Sequence, residues 1–209
     1  MMIFSIMTFN VRVHVPSDGI NAWPHRVERV AKLINQEQPM IMGTQEMLPS
    51  MVKELIEQLP DYDWFGKPRR SDDEYSAIFY RKDQVKVIKS GTFWLSETPE
   101  VEGSISWHSE YPRICTWGEL ESIENPKCKI RVYNTHLDHI SEEARCNGIQ
   151  VIWQFIQQLE RKESLPYILM GDFNAFPDSQ AVQFLQEEAR FKNAYSKIAL
   201  DKHLRKNLS

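Results

Sequence analysis

Asp172 and Asn174 flank a phenylalanine in Gly171-Asp172-Phe173-Asn174, directly after the apolar run Pro166-Tyr167-Ile168-Leu169-Met170. Side chains alternate along an extended chain, so Phe173 can turn into a core while the carboxylate and the amide share the other face. Both offer hard oxygen atoms, and the mouth of a sheet is where open α/β folds keep their sites. The same residue types are common turn formers, and Pro177-Asp178-Ser179 reads as the start of a helix. Alone, this stretch supports a site and a plain turn about equally.

Three other segments repeat the pattern. Ile3 to Phe9 is apolar and ends in Asn10, whose amide can face a ligand or simply close a turn. Met40-Ile41-Met42 runs into Gly43-Thr44-Gln45-Glu46, again delivering an acid just past a strand. Most glutamates are solvated, but the position of Glu46 matches that of Asp172 and shifts the reading toward a site. Lys129-Ile130-Arg131-Val132-Tyr133 ends in Asn134-Thr135-His136-Leu137-Asp138-His139, with His136 and Asp138 expected on one face of an extended chain. A lone histidine at a strand end is usually structural, and His139 fits that description.

The elements that must hold these residues follow from periodicity. Pro24 in the first turn and Val27, Val30 and Ile34 at helical spacing predict a helix that Pro39 stops. Val52, Leu55, Ile56 and Leu59 predict a second, ended by Pro60. From Tyr62 to Ile123 the period becomes two, with strands expected at Glu74 to Tyr80, Val85 to Val87, Gly91 to Ser96 and Ile114 to Trp117. Between them, Glu97 to Arg113 is polar and long enough for a functional loop. Trp94, Trp107 and Trp117 read as core aromatics. Ser141 to Glu160 is an amphipathic helix with Glu142 and Glu143 at its start, and a last helix runs from about Ser179 to Ala189. The order predicts two α/β halves around a central sandwich of sheets.

Composition narrows the function. A chain of 209 residues suits one domain spanning 1–209, and 42% hydrophobic with 26% charged content is ordinary for a soluble fold. A net charge of −4 gives no general pull toward nucleic acid or an anionic membrane. The basic cluster Lys67-Pro68-Arg69-Arg70 is offset at once by Asp72, Asp73 and Glu74. Cys115, Cys128 and Cys146 have neither the even count of a disulfide framework nor zinc-site spacing, so they read as reduced thiols. The N-terminal run lacks a basic leader and a cleavage site, no segment reaches membrane-spanning length, and a cytoplasmic location is expected.

Taken in order, Thr8-Phe9-Asn10, Gly43-Thr44-Gln45-Glu46, Asn134-Thr135-His136-Leu137-Asp138 and Gly171-Asp172-Phe173-Asn174 resemble four motifs of the endonuclease/exonuclease/phosphatase superfamily, the fold of deoxyribonuclease I and apurinic endonucleases. Gly91-Thr92-Phe93-Trp94-Leu95-Ser96-Glu97-Thr98-Pro99 and Pro112-Arg113-Ile114-Cys115-Thr116-Trp117 resemble a bacterial branch similar to the nocturnin and deadenylase group. The resemblance implies a four-layer α/β sandwich of two mainly antiparallel sheets flanked by helices. It also implies a phosphoester hydrolase using Mg²⁺, with Mn²⁺ as an alternative. Glu46 would hold the metal with Asn10 beside it, since Mg²⁺ favours one or two carboxylates and water. Asp172 and Asn174 would orient or deprotonate the attacking water, and Asn174 and Asn10 would also meet a phosphate oxygen. His136 would donate to a phosphate oxygen or the leaving group, with Glu74 holding its tautomer. Arg113 offers a guanidinium for bidentate phosphate pairing.

Family members continue with a strand carrying an Asp and then a Ser-Asp-His element. This sequence ends at Ser209 with neither, and Asp201-Lys202-His203 has the wrong spacing to replace them. The resemblance therefore implies a C-terminally shortened member with weak or no phosphodiesterase activity, an open sheet edge and self-association. Two alternatives follow: a non-catalytic phosphate- or metal-binding remnant, and a nucleic-acid enzyme rather than one for small phosphoesters. Acidity weighs against tight duplex binding, leaving a phosphorylated small molecule or a single-stranded nucleic-acid end as substrate.

Overall fold

The computed structural model describes residues 4–194 of the chain, which divides into two compact units, Met1–Asn174 and Ala175–Ser209. Asp201-Lys202-His203 lies outside the described residues. In the first unit two βα repeats bracket the chain. Strand β1 (Ile6–Asn10) passes through a short 3-10 turn (Pro16–Asn21) and helix α1 (Trp23–Glu37) to β2 (Ile41–Gln45), its parallel neighbour. Helix α2 (Pro49–Glu57) leads to β3 (Tyr62–Phe65) and β4 (Ile78–Arg81), and the first sheet has the order β1-β2-β4-β3. The second sheet contains β5 (Val85–Trp94), β6 (Ile114–Ser122), β7 (Lys129–His136) and β8 (Tyr167–Asp172), in that order. Helix α3 (Glu142–Glu160) crosses from β7 to β8, which are parallel like β1 and β2; the remaining pairs in both sheets are antiparallel.

Packing turns these sheets into four layers. Ile41, Ile78, Val85, Leu120, Ile130, Val132 and Met170 are buried together between the sheets. On the outer side of the first sheet, Trp23, Val27, Val30 and Ile34 of α1 join Met51, Val52 and Leu55 of α2 over Met42 and Phe79. On the outer side of the second, α3 buries Ile149, Ile152 and Ile156, and Phe155 stacks on Phe93 at 4.4 Å. The α3 start is built as its sequence suggests: the Ser141 hydroxyl accepts from Ala144 N, with Glu142 and Glu143 in the first turn. The chain has the expected mixed α/β fold with two four-stranded sheets flanked by helices.

A buried polar side chain ties the sheets together at their centre. Asn134 of β7 is fully buried and donates to the carbonyls of Thr44 and Ala77, each at 2.9 Å, while accepting from Gln45 Nε2 at 2.7 Å. Gly43 makes the room, since a Cβ there would lie 2.7 Å from the Asn134 amide.

Some strand limits differ from expectation. Gly91 does not separate two strands: β5 runs unbroken from Val85 to Trp94, pairing Gly91 with Trp117 across a register shift at Val87/Lys89. The strand expected from Glu74 begins only at Ile78, because Arg69 N bonds to Glu74 O at 2.9 Å and folds residues 69–74 into a closed turn. Gly171 does not end its strand either. It pairs with Thr135 inside the β7–β8 ladder, and β8 continues through Asp172. In the second unit, α4 (Gln180–Glu187) follows Ser179 as expected, and Phe191 N closes onto Leu185 O at 2.7 Å. No described helix is long and apolar enough to cross a membrane.

Candidate active site

The two parallel pairs deliver their polar residues at corresponding strand ends. Asn10 ends β1 opposite Gln45, which ends β2, and His136 ends β7 opposite Asp172, which ends β8. Beyond β2, Glu46 takes a left-handed backbone (φ 65°), as does Asn174 beyond β8 (φ 46°). Non-glycine residues held there store strain, and such strain gathers at functional sites.

Asn10 joins the two acids. Its Nδ2 donates to Glu46 Oε1 at 2.7 Å and to Asp172 Oδ2 at 2.8 Å. The remaining carboxylate oxygens are also held: Glu46 Oε2 accepts from Val13 N at 2.7 Å, and Asp172 Oδ1 from Asn174 N at 3.0 Å. The loop supplying Val13 is itself anchored. Arg12 N donates to Asn10 Oδ1 at 2.9 Å, and the Arg26 guanidinium donates to the carbonyls of Val11 and Arg12. Two like charges side by side repel, so the shared amide proton donor is what lets both carboxylates stand within two hydrogen-bond lengths of each other.

Asn174 then links the acids to the imidazole. Its Nδ2 donates to His136 Nε2 at 3.0 Å and to Leu137 O at 2.9 Å. With Nε2 accepting, the ring proton of neutral His136 lies on Nδ1. Burial, aided by the nearby Arg113 charge, pushes the His136 pKa down to about 4, against the pull of Asp172 and Glu46. At neutral pH His136 is uncharged.

Glu46, Asp172, Asn10, Asn174 and His136 are therefore brought together. Glu74 and Arg113 reach the same neighbourhood in a different role from that expected. Both line a cleft with His136, Arg69, Tyr75, Ser76, Pro112 and Ile114. Glu74 does not bond His136. It accepts from Arg69 at 3.3 Å, and His136 Nδ1 is buried without a partner. Burial raises the Glu74 pKa, with Arg69 opposing it. The guanidinium of Arg113 also bonds Asp138 Oδ2 at 3.4 Å and His139 Nδ1 at 3.0 Å. Asp138 does not share a face with His136 in an extended chain, because β7 ends at His136. It is buried and accepts from Ile140 N and Ser141 N at 2.9 and 2.7 Å, fixing the approach to α3. The sequence does not single out Arg69, which sits in a self-cancelling charge cluster, yet it is buried in the cleft wall.

Among the described residues no group of three or more His, Cys, Asp or Glu side chains is arranged to hold a metal. The donor set is two carboxylates and an amide, which suits Mg²⁺, an ion that keeps several waters and takes one or two carboxylates.

Comparison with known proteins gives a consistent picture. A model of the Endonuclease/Exonuclease/phosphatase family matches residues 7–197. A solved endonuclease/exonuclease/phosphatase family protein from Bacteroides thetaiotaomicron is 33% identical, with a TM-score of 0.85 over 88% of this chain and 68% of that one. A mannosyl-6-phosphatase from the same organism is 34% identical, with a TM-score of 0.82 over 86% of this chain and 68% of that one. The human nocturnin catalytic domain shares the fold at 19% identity, with a TM-score of 0.69 over 89% of this chain and 70% of that one. No match was found among curated proteins.

Proposed function

The chain belongs to the endonuclease/exonuclease/phosphatase family, and from that premise we propose that it is a hydrolase that cleaves phosphate esters with the help of a divalent cation, Mg²⁺ or Mn²⁺. The observation that carries this reading is the Asn10 amide shared between Glu46 and Asp172. Glu46 is the metal-holding carboxylate in this proposal, with Asn10 beside it. When bound, the ion supplies positive charge against the negative charge that grows on the phosphoryl oxygens.

The protein's own groups do the rest. Asp172, fixed by Asn10 and by Asn174 N, orients a water and accepts its proton. Asn174 turns its amide from His136 to a phosphate oxygen. His136, neutral in the free protein, gains a proton more readily beside a phosphate dianion and then donates to the leaving group. Arg113 faces the non-bridging oxygens, and Glu74 offsets the arginine charge beside it. Positioning and electrostatics of this kind are the main resources of phosphoryl-transfer enzymes.

The likeness to a mannosyl-6-phosphatase supports a phosphorylated small molecule as substrate, with a single-stranded nucleic-acid end as the other candidate. The net charge of −4 favours the former. Among the described residues strands β1 and β8 lie at the edges of their sheets, and sheet edges of this kind support self-association, which sedimentation analysis reads. The functional test is a Mg²⁺-dependent panel of sugar phosphates, inositol phosphates, nucleotides and RNA oligonucleotides on the purified chain. Turnover of at least one phosphoester, abolished by chelation, is expected. Silence across the panel at high enzyme concentration would refute the catalytic reading and leave a phosphate- or metal-binding domain.

A further inference from the structure

Arg69 and Arg113 come from distant parts of the sequence to one cleft, where they meet Glu74, Ser76 and His136. They are only 8% and 6% exposed. Both guanidinium groups face the Tyr111 ring, with their carbons 4.6 and 6.0 Å from its centroid. Two cations held this close, away from water, need acceptors to balance them. Only one of the acceptors present is close. With the exposed Arg70 on Asp73 Oδ2 at 2.6 Å, Arg69 bonds the other carboxylate oxygen at 2.9 Å. Its contact with Glu74 is 3.3 Å, and Arg113 meets Asp138 at 3.4 Å, both longer than the roughly 2.7–2.9 Å of a tight charge-assisted bond.

Donors, by contrast, are left over. Arg69 Nε is buried with no acceptor, and so is His136 Nδ1, which carries the ring proton when Nε2 accepts from Asn174. Two buried N–H groups at the cleft therefore lack an acceptor oxygen. A ligand that completes it must bring several acceptor oxygens and negative charge in a small volume.

Resting on the hydrolase reading above, we propose that Arg69 and Arg113 form a subsite for the dianionic phosphate of a monoester, so that the protein selects phosphomonoesters over phosphodiesters. A monoester phosphate brings three free oxygens and a charge of about −1.5 to −2 at neutral pH. A diester brings two free oxygens and a single charge, so the second guanidinium has less to bind.

The test compares wild type with Arg69→Gln and Arg69→Lys on 4-nitrophenyl phosphate and bis(4-nitrophenyl) phosphate in Mg²⁺, alongside calorimetric titration with inorganic phosphate. Wild type is expected to favour the monoester. In Arg69→Gln the monoester-to-diester ratio of kcat/KM should fall about tenfold or more, the scale of one lost bond to a charged group, and phosphate affinity should fall similarly. Arg69→Lys keeps the charge but loses the planar fork, and should lie between. If Arg69→Gln does not fold by circular dichroism, Arg69→Lys decides by the same two readouts. An unchanged substrate ratio together with unchanged phosphate affinity would overturn the subsite. If wild type hydrolyses neither ester, the catalytic reading fails separately, and phosphate titration alone decides the subsite.

Discussion

Asn10 Nδ2 stands between Glu46 and Asp172, 2.7 Å from one carboxylate and 2.8 Å from the other. The three residues come from the ends of β1 and β8 and from the position just past β2, in two different sheets. An amide at this point is a fixed donor that makes two adjacent negative charges tolerable.

Replacing Asn10 with aspartate removes the donor and adds a third carboxylate. Without metal, Asn10→Asp should lose about 1–3 kcal/mol of stability at neutral pH. Mg²⁺ should recover more stability in the variant than in wild type, because the ion binds the folded state preferentially. Thermal midpoints with and without Mg²⁺ check this, and equal midpoints for both proteins in chelator would contradict it.

Asn134 tests the link between the sheets. Asn134→Ala leaves the carbonyls of Thr44 and Ala77 and the amide of Gln45 without this partner in a buried interface. A loss of about 2–4 kcal/mol is expected, at a cost of roughly 1–3 kcal/mol per orphaned group with partial relaxation. Urea unfolding measures it directly. A loss under half a kilocalorie would mean that the bonds are replaced locally.

Gly171 is required by close approach. A Cβ there would lie 2.0 Å from the Thr135 carbonyl oxygen, at a φ of 147° that side chains rarely adopt. Gly171→Ala should cost about 2–4 kcal/mol by strain and displacement of β8 from β7. It should also lower turnover by shifting Asp172, the next residue, while a neutral substitution would show that the two strands separate easily.

Much of this was readable in advance where local signals agreed with the final fold. Pro24 and Pro39 frame α1, Ser141 caps α3, and the polar residues that end apolar runs at Asn10, Gln45-Glu46, His136 and Asp172 are the ones the sheets gather. Arrangements set by long-range packing were hidden. Glu74 pairs with Arg69 rather than with His136 because the 69–74 turn closes on itself, and counting charges along the chain does not reveal that Arg69 is buried. Gly171 has the local signature of a strand end, while its role depends on Thr135 in a neighbouring strand. The Asn174–His136 bond depends on a left-handed backbone at Asn174, which no residue pattern announces.

The His136 imidazole predicts a pH dependence of stability. Its folded pKa of about 4 lies below the ordinary value of 6.5, chiefly through burial. Between these values the unfolded chain binds the proton and the folded one does not, so stability rises with pH across that window. The contribution is fully present above the unfolded pKa and is lost as pH falls toward 4. Wild type should therefore lose about 2 kcal/mol more than His136→Gln between pH 7 and pH 5, from the pKa difference taken at 1.36 kcal/mol per unit. Parallel pH profiles from urea unfolding would contradict the assignment.

In the proposed phosphoester cleavage, Glu46 holds the divalent cation and Asp172 accepts the proton of the attacking water. The most direct test is hydrolysis of an activated phosphoester as a function of Mg²⁺, for wild type, Glu46→Gln and Asp172→Asn. Activity should be lost in chelator and restored by Mg²⁺, with each variant reduced by about 10²–10³. Glu46→Gln should also need more Mg²⁺ for half-activation, because it removes the metal-holding carboxylate. Turnover that survives chelation, or a Glu46→Gln protein with wild-type rate and wild-type Mg²⁺ demand, would contradict these roles.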